Sequence, residues 1–319
     1  MKVLANDGIA PSGKEALEKA GFTVITEKVE QDNLESAINK EEYEVLLVRS
    51  ATKVRKELID ACPSLKMIGR GGVGMDNIDV DYGRSKGLEV FNTPASSSQS
   101  VAELVMAHLF GAVRFLHQAN RNMPSKGNTD FKALKKSYGK GTELRGKTLG
   151  IYGFGRIGQA LAEYALGCGM KVLAFDMLDG PFELNLQIAD QTVKLSVPKT
   201  NLDQMIQESD FISLHVPAVG EALIGKEEIS KMKDGAILIN AARGGVIDEA
   251  ALLEALNNGK LAHAALDVFE NEPTPKGELL AHSKISLSPH IGAATAEAQD
   301  RIGTELAENI INFYAEVKA

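Results

Sequence analysis

An apolar run, Leu149-Gly150-Ile151-Tyr152, leads directly into Gly153-Phe154-Gly155-Arg156-Ile157-Gly158 and then into a helical pattern over Ile157–Leu166. A second run, Lys171–Phe175, follows and ends on Asp176. Three glycines alone constrain little, but glycines set between a strand and a helix, with a second strand behind them, define a parallel strand–helix–strand unit. Gly153 permits a tight turn, Gly155 lets backbone approach a pyrophosphate, and Gly158 lets the helix pack close to the strand. The helix N-terminus presents free N–H groups and a positive dipole end to phosphate, and Phe154, Arg156 and Ile157 are expected with the three glycines to contact the cofactor. A carboxylate at Asp176 accepts hydrogen bonds from ribose hydroxyls and repels a 2′-phosphate. The segment therefore predicts a dinucleotide site along Gly153–Gly158, with NAD rather than NADP as the cofactor.

The same alternation runs through the whole chain. Strands are expected at Val45–Val48, Leu149–Tyr152, Lys171–Phe175, Phe211–Leu214, Ala236–Ile239, Ala262–Val268 and Ile285–Leu287, and helices at segments such as Ile157–Leu166 and Asp248–Asn257. Several strand runs are apolar without alternation, as in a parallel sheet covered on both faces. The fold class is α/β, with two doubly wound parallel-sheet domains, one Rossmann-type and one flavodoxin-like, and a cleft between them. The chain has 319 residues, a length that suits two domains. Residues 1–92 with 293–319 are expected to form a substrate-binding domain, and 93–292 the NAD domain. A helix is expected over Val101–Leu116, an irregular surface segment over 121–147, and a closing amphipathic helix over Thr295–Tyr314.

Composition excludes several classes. A net charge of −8 argues against a nucleic-acid surface. The two cysteines, Cys62 and Cys168, form no disulfide framework and fit a reducing compartment. No signal-length apolar stretch opens the chain and no membrane-length run follows, so the expected location is cytoplasmic with no membrane partner. The six histidines show no zinc spacing, and no metal is expected.

Three later segments each place polar groups just past an apolar strand, where ligands sit in open α/β sheets. They are Asn240-Ala241-Ala242-Arg243-Gly244-Gly245, Asp267-Val268-Phe269-Glu270-Asn271-Glu272-Pro273 and Ser288-Pro289-His290-Ile291-Gly292. A guanidinium fork at Arg243 suits a carboxylate. Histidine titrates where alcohol oxidation and ketone reduction need a base and an acid, and a carboxylate beside it favours its charged form. Taken singly, each also reads as a surface salt-bridge partner, a solvated acid or a turn residue. A second glycine cluster, Gly69-Arg70-Gly71-Gly72-Val73-Gly74, reads either as a substrate-contacting loop or as a plain turn.

With these motifs the sequence resembles the D-isomer-specific 2-hydroxyacid dehydrogenases over nearly its whole length. The resemblance implies hydride transfer between NAD and the 2-position of a small hydroxy acid. It implies that Arg243 binds the substrate carboxyl and carbonyl oxygens, that Glu272 rather than Glu270 pairs with His290, and that His290 is the acid–base group. It places His215, Val216, Pro217, Ala241, Arg243, Asp267, His290 and Gly292 along the cofactor. Family members are usually homodimers, and the helix from Val101 is the expected dimer element.

The N-terminal third is similar to the phosphoglycerate dehydrogenases within that family, through Val48-Arg49-Ser50-Ala51-Thr52, Gly69–Asp79 and Phe91-Asn92-Thr93-Pro94. This implies a phosphorylated substrate met by Arg49, Ser50, Arg70, Gly72, Val73 and Gly74, together with Arg243 and His290. Arginine forks and backbone amides suit such an anion; Arg49 and Arg70 in purely structural hydrogen bonds are the plainer reading. A chain ending at Ala319 leads to the expectation of a short form without a C-terminal regulatory domain. A glyoxylate or hydroxypyruvate reductase is the enzymatic alternative, and an NAD-sensing corepressor-like protein the non-enzymatic one. His108, His117, His263 and His282 match no catalytic position, and His108 and His117, on the long helix, read as structural.

Overall fold

A computed structural model describes residues 1–316. The chain divides into two compact units, Met1–Ser98 with the chain from Ala293 onward, and Gln99–Gly292. The first division falls beyond Asn92 because residues 93–98 are bonded into the first unit. The Gly72 N–H donates to Thr93 Oγ1 at 2.8 Å, Ser96 Oγ to the Glu305 carboxylate, and Arg301 Nε to the Ser96 carbonyl at 3.0 Å.

The first unit holds a five-stranded parallel sheet of β1 (Lys2–Ala5), β2 (Thr23–Ile25), β3 (Val45–Val48), β4 (Met67–Arg70) and β5 (Glu89–Asn92), in the order β2-β1-β3-β4-β5. This is the flavodoxin-like order, with its switch point between β1 and β3. Successive residues feed opposite faces. Val3, Val45, Leu47 and Met67 pack with Ile302, Leu306 and Ile310 of the closing helix Ala296–Glu316, while Leu4, Leu46, Val48 and Ile68 pack with Leu34, Ile38 and Ile59. Both faces are dry, which is why β3 is apolar at every position.

The second unit holds β6 (Thr148–Tyr152), β7 (Lys171–Phe175), β8 (Phe182–Ile188), β9 (Gln191–Val197), β10 (Phe211–Leu214), β11 (Ala236–Asn240), β12 (Leu261–Leu266) and β13 (Ile285–Leu287). Six form a parallel sheet ordered β13-β12-β11-β10-β6-β7, and β8 and β9 form a separate antiparallel hairpin. The hairpin occupies the place in sequence where a doubly wound nucleotide fold has its third strand. Among the described residues a single parallel bridge, Lys199 beside Ala174, takes that strand's position next to β7.

Three expectations are corrected. The helix expected to run to Leu116 is Ser98–Val113, ending before Phe115, which adopts a left-handed φ of +55°. The Phe115 ring is held against Tyr138 and His263, with centroids 6.0 and 5.4 Å away. The segment 121–147 is not irregular throughout, since Leu116–Lys126 and Phe131–Ser137 are helical. The strand expected over Ala262–Val268 stops at Leu266, where Asp267 turns to bond the next loop. Among the described residues no helix is long and apolar enough to cross a membrane, and no group of His, Cys, Asp and Glu is arranged to hold a metal ion.

Candidate active site

The carboxyl ends of the six strands in the second unit are in register. Phe175 lies beside Tyr152, Tyr152 beside Leu214, Leu214 beside Asn240, Asn240 beside Leu266 and Leu266 beside Leu287. The residues that follow them are Asp176, Gly153, His215, Ala241, Asp267 and Ser288. Six strand ends scattered between residues 152 and 287 thus become one row along a sheet edge.

The strand order reverses between β6 and β10, where an open α/β sheet receives its ligand. Gly153 sits there at φ +93°, and a Cβ would run into the His215 carbonyl oxygen and crowd Val216. A Cβ on Gly158 would strike the Gly153 carbonyl, so the helix Arg156–Gly167 starts hard against the turn. A Cβ on Gly155 would meet nothing within 4 Å. Gly155 therefore borders open space at a helix start that has no side-chain cap, which leaves the first-turn amides to an outside acceptor. Asp176 Oδ2 accepts from the Phe154 N–H at 2.6 Å and Oδ1 from the Leu178 N–H at 2.9 Å. These bonds fix the carboxylate at the end of β7. His215 Nε2 lies 2.9 Å from Ser213 Oγ, and its buried Nδ1 has no partner. Burial pushes this imidazole down to about 3, so it stays neutral. An open glycine turn, uncapped amides and an orphaned ring nitrogen fit a dinucleotide.

Further along the row, His290 Nδ1 is 2.7 Å from Glu272 Oε2, and Glu272 Oε1 accepts from the Phe269 N–H at 3.0 Å. Glu270 is engaged elsewhere, its Oε2 lying 2.6 Å from Lys276 Nζ. Because an ionised carboxylate only accepts, neutral His290 carries its hydrogen on Nδ1 and leaves Nε2 as the base. His290 sits at φ +55°, a conformation that costs a residue other than glycine about 1–3 kcal/mol. Its backbone is held by Asp267, which is 1% exposed. The Asp267 carbonyl accepts from the His290 N–H at 2.8 Å, Oδ1 from the Ile291 N–H and Oδ2 from the Gly292 N–H, both at 2.9 Å.

Arg243 follows β11 in a turn shaped by Asn240. Asn240 Nδ2 donates to the Arg243 carbonyl at 2.8 Å, and its Oδ1 accepts from the Ala242 N–H at 3.0 Å. The neighbouring Gly244 lies so close to the Phe269 carbonyl that no Cβ fits. The Arg243 loop thus abuts the loop that carries Glu272, and Glu272 reaches His290. Nothing in the sequence alone marked Asn240 as the residue that shapes this turn; the signal was an amide ending a buried strand.

In the first unit, Arg49 and Ser50 follow β3, and Arg70 closes β4 opposite Val48. Gly72 turns at φ +136° against the Arg70 guanidinium, and Asn92 Nδ2 donates to the Val73 carbonyl at 2.5 Å. Among the described residues no acceptor is found for the Val73 and Gly74 N–H groups, so the turn presents amides as an anion cradle does. The loop after β1 completes this edge, and sequence reasoning missed it. Asp7 Oδ2 accepts from the Arg49 and Thr52 N–H groups at 2.6 and 3.1 Å. A cavity of about 430 Å³ opens there between Asp7–Pro11, Arg49, Gln299 and Asp300.

Two buried histidines, His108 and His263, and the half-buried His117 contribute to the acid stability of the second unit. Burial pushes His263 down to about 4, and His108 and His117 below their ordinary range. Below the ordinary value of 6.5 the unfolded chain takes up protons that these folded rings refuse. Stability therefore falls as pH drops from 6.5 toward the folded values. Urea unfolding should show a lower midpoint at pH 5 than at pH 7; an unchanged midpoint contradicts the assignment.

A nucleotide turn at the switch point and a carboxylate-backed histidine on the same sheet edge define a nicotinamide-dependent oxidoreductase acting on CH–OH groups. Residues 106–292 match the family described as D-isomer specific 2-hydroxyacid dehydrogenase, NAD binding domain, and the chain belongs to that family. It is 44% identical to a hydroxypyruvate reductase of Thermotoga maritima, over 97% of each chain. It is 41% identical to a D-3-phosphoglycerate dehydrogenase of Archaeoglobus fulgidus over 98% of this chain, spanning 57% of that protein. A solved D-lactate dehydrogenase from Aquifex aeolicus, complexed with NAD and lactic acid, superposes with a TM-score of 0.77 at 31% identity, covering 99% of this chain and 96% of that one.

Proposed function

We propose that the chain interconverts 3-phosphoglycerate and 3-phosphohydroxypyruvate, the entry reaction of serine synthesis, with His290 as acid–base and Arg243 on the substrate carboxylate. The supporting observation is the edge of the first sheet. Two arginines, Arg49 and Arg70, stand at the ends of adjacent strands beside the Val73 and Gly74 amides, enough cationic and donor capacity for a second anionic group. A nicotinamide held along Gly153–Gly158 would supply hydride transfer to and from the substrate's second carbon. Nε2 of His290 takes the hydroxyl proton in oxidation and returns it in reduction. Glu272 orients the ring and stabilises the charge it acquires. Asp176, at the ribose end, favours NAD over NADP.

The second reading is a hydroxypyruvate reductase, favoured by the Thermotoga maritima relative, which matches over nearly the full length of both chains. NADH-coupled turnover of phosphohydroxypyruvate and hydroxypyruvate separates the two. We expect kcat/KM to favour the phosphorylated ketone, and Arg70→Ala to raise its KM on the order of tenfold or more while changing hydroxypyruvate little. Equal or better use of hydroxypyruvate by the unaltered protein would favour the second reading. We also infer a homodimer of the second unit in the cytoplasm. Phe110, Leu116, Met123 and Phe131, each at least 43% exposed, crowd apolar surface onto one stretch of chain, and light scattering on the same sample reads the assembly.

A further inference from the structure

His108 lies on the helix Ser98–Val113 among apolar side chains, and its ring is buried, with the residue 8% exposed. Both nitrogens are used. Nδ1 is 2.8 Å from Ser286 Oγ and Nε2 is 2.8 Å from Ser288 Oγ. Ser288 Oγ is in turn 2.6 Å from Asp267 Oδ1.

The direction of every bond follows from the carboxylate end. Ionised Asp267 only accepts, so the Ser288 hydroxyl donates to it and must itself accept from His108. The hydrogen on His108 therefore sits on Nε2. Nδ1 is then an acceptor and receives the Ser286 hydroxyl hydrogen. Burial holds the ring below the ordinary imidazole range and so favours its neutral form; of the charged and titratable groups facing it, Asp267 works against burial and His117 with it. The chain runs one way, from Ser286 through His108 and Ser288 to Asp267, and ends on the carboxylate that holds the Ile291 and Gly292 amides, directly after the left-handed His290, whose own N–H goes to the Asp267 backbone carbonyl. A strained backbone of this kind persists only where its surroundings over-determine it, and a buried polar chain with every member satisfied supplies that rigidity.

We propose that His108 is a positioning residue, which acts through Ser288 to fix the Asp267 carboxylate and so to aim the His290 imidazole. This rests on His290 being the acid–base group.

Three variants and one spectrum test it. His108→Leu fills the site but removes both bonds, His108→Gln keeps a donor for Ser288 and an acceptor for Ser286, and Ser288→Ala cuts the link with His108 in place. We expect His108→Leu and Ser288→Ala to lower kcat on the order of tenfold with the KM for NADH unchanged. His108→Gln should recover most of that loss. Nitrogen-15 spectra of the unaltered protein should show the His108 ring neutral between pH 7 and 6 with its hydrogen on Nε2. Wild-type kcat in both His108→Leu and Ser288→Ala would overturn the proposal, as would equal impairment by Leu and Gln, or a hydrogen found on Nδ1. If His108→Leu fails to fold, Ser288→Ala carries the kinetic arm. His290→Asn is the control: full turnover in that variant defeats the acid–base reading, while the nitrogen spectrum still reports on the relay.

Discussion

Replacing His290 with alanine should lower kcat by about 10²–10⁴-fold, the usual contribution of a positioned acid–base group, while NADH binds as before. The imidazole is backed by Glu272 at 2.7 Å and presents Nε2 as its free nitrogen, so no neighbour in that pair can take over the proton. The proposed nucleotide groove is built from the ends of β6, β7 and β10, whereas His290 follows β13 at the opposite edge of the sheet. Loss of the ring therefore removes chemistry without removing the groove. Stopped-flow turnover and NADH fluorescence titration read the two quantities separately. Full turnover in the alanine variant would strike His290 from the reaction.

Two alanine substitutions in the glycine turn should fail for different reasons. At Gly153 a Cβ collides with the His215 carbonyl and must adopt a φ of +93°, an arrangement that costs roughly 1–2 kcal/mol from the backbone alone. Gly153→Ala should lower both thermal stability and NADH affinity. At Gly155 a Cβ meets nothing of the protein within 4 Å, so Gly155→Ala should melt like the unaltered chain. The methyl group would then stand where the phosphates approach, and the dissociation constant for NADH should rise on the order of tenfold or more. Differential scanning fluorimetry with and without NADH separates the two variants. Unchanged affinity in Gly155→Ala would mean that the phosphates do not pass over this turn.

The parallel sheets were readable because burial on both faces leaves runs such as Val45–Val48 apolar throughout, and the nucleotide turn was readable because Gly153 and Gly158 answer close local contacts and Gly155 borders open space. The pairing of Glu272 rather than Glu270 with His290 was implied only by resemblance; the structure shows the reason, since Lys276 engages Glu270. The hairpin Phe182–Val197 carried an alternating signal at Phe182, Leu184, Leu186 and Ile188, although it was not among the expected strands. The break before Phe115 had no such signal. Neither glycine nor proline marks it, and packing against Tyr138 and His263 imposes it. The partners of His108 were invisible for a related reason, because Ser286 and Ser288 stand far along the chain and meet it only once β13 has paired with β12.

Neighbouring strands lie about 4.8 Å apart, so the row of strand ends from Phe175 to Leu287 spans roughly 24 Å. On the proposed function, nucleotide choice falls to a carboxylate at one limit of that span and proton handling to an imidazole at the other. Evolution, or an engineer, can exchange Asp176 for a residue that tolerates a 2′-phosphate and leave the reaction at the far end intact. Coenzyme preference and substrate chemistry are in this sense separately heritable traits of a single sheet.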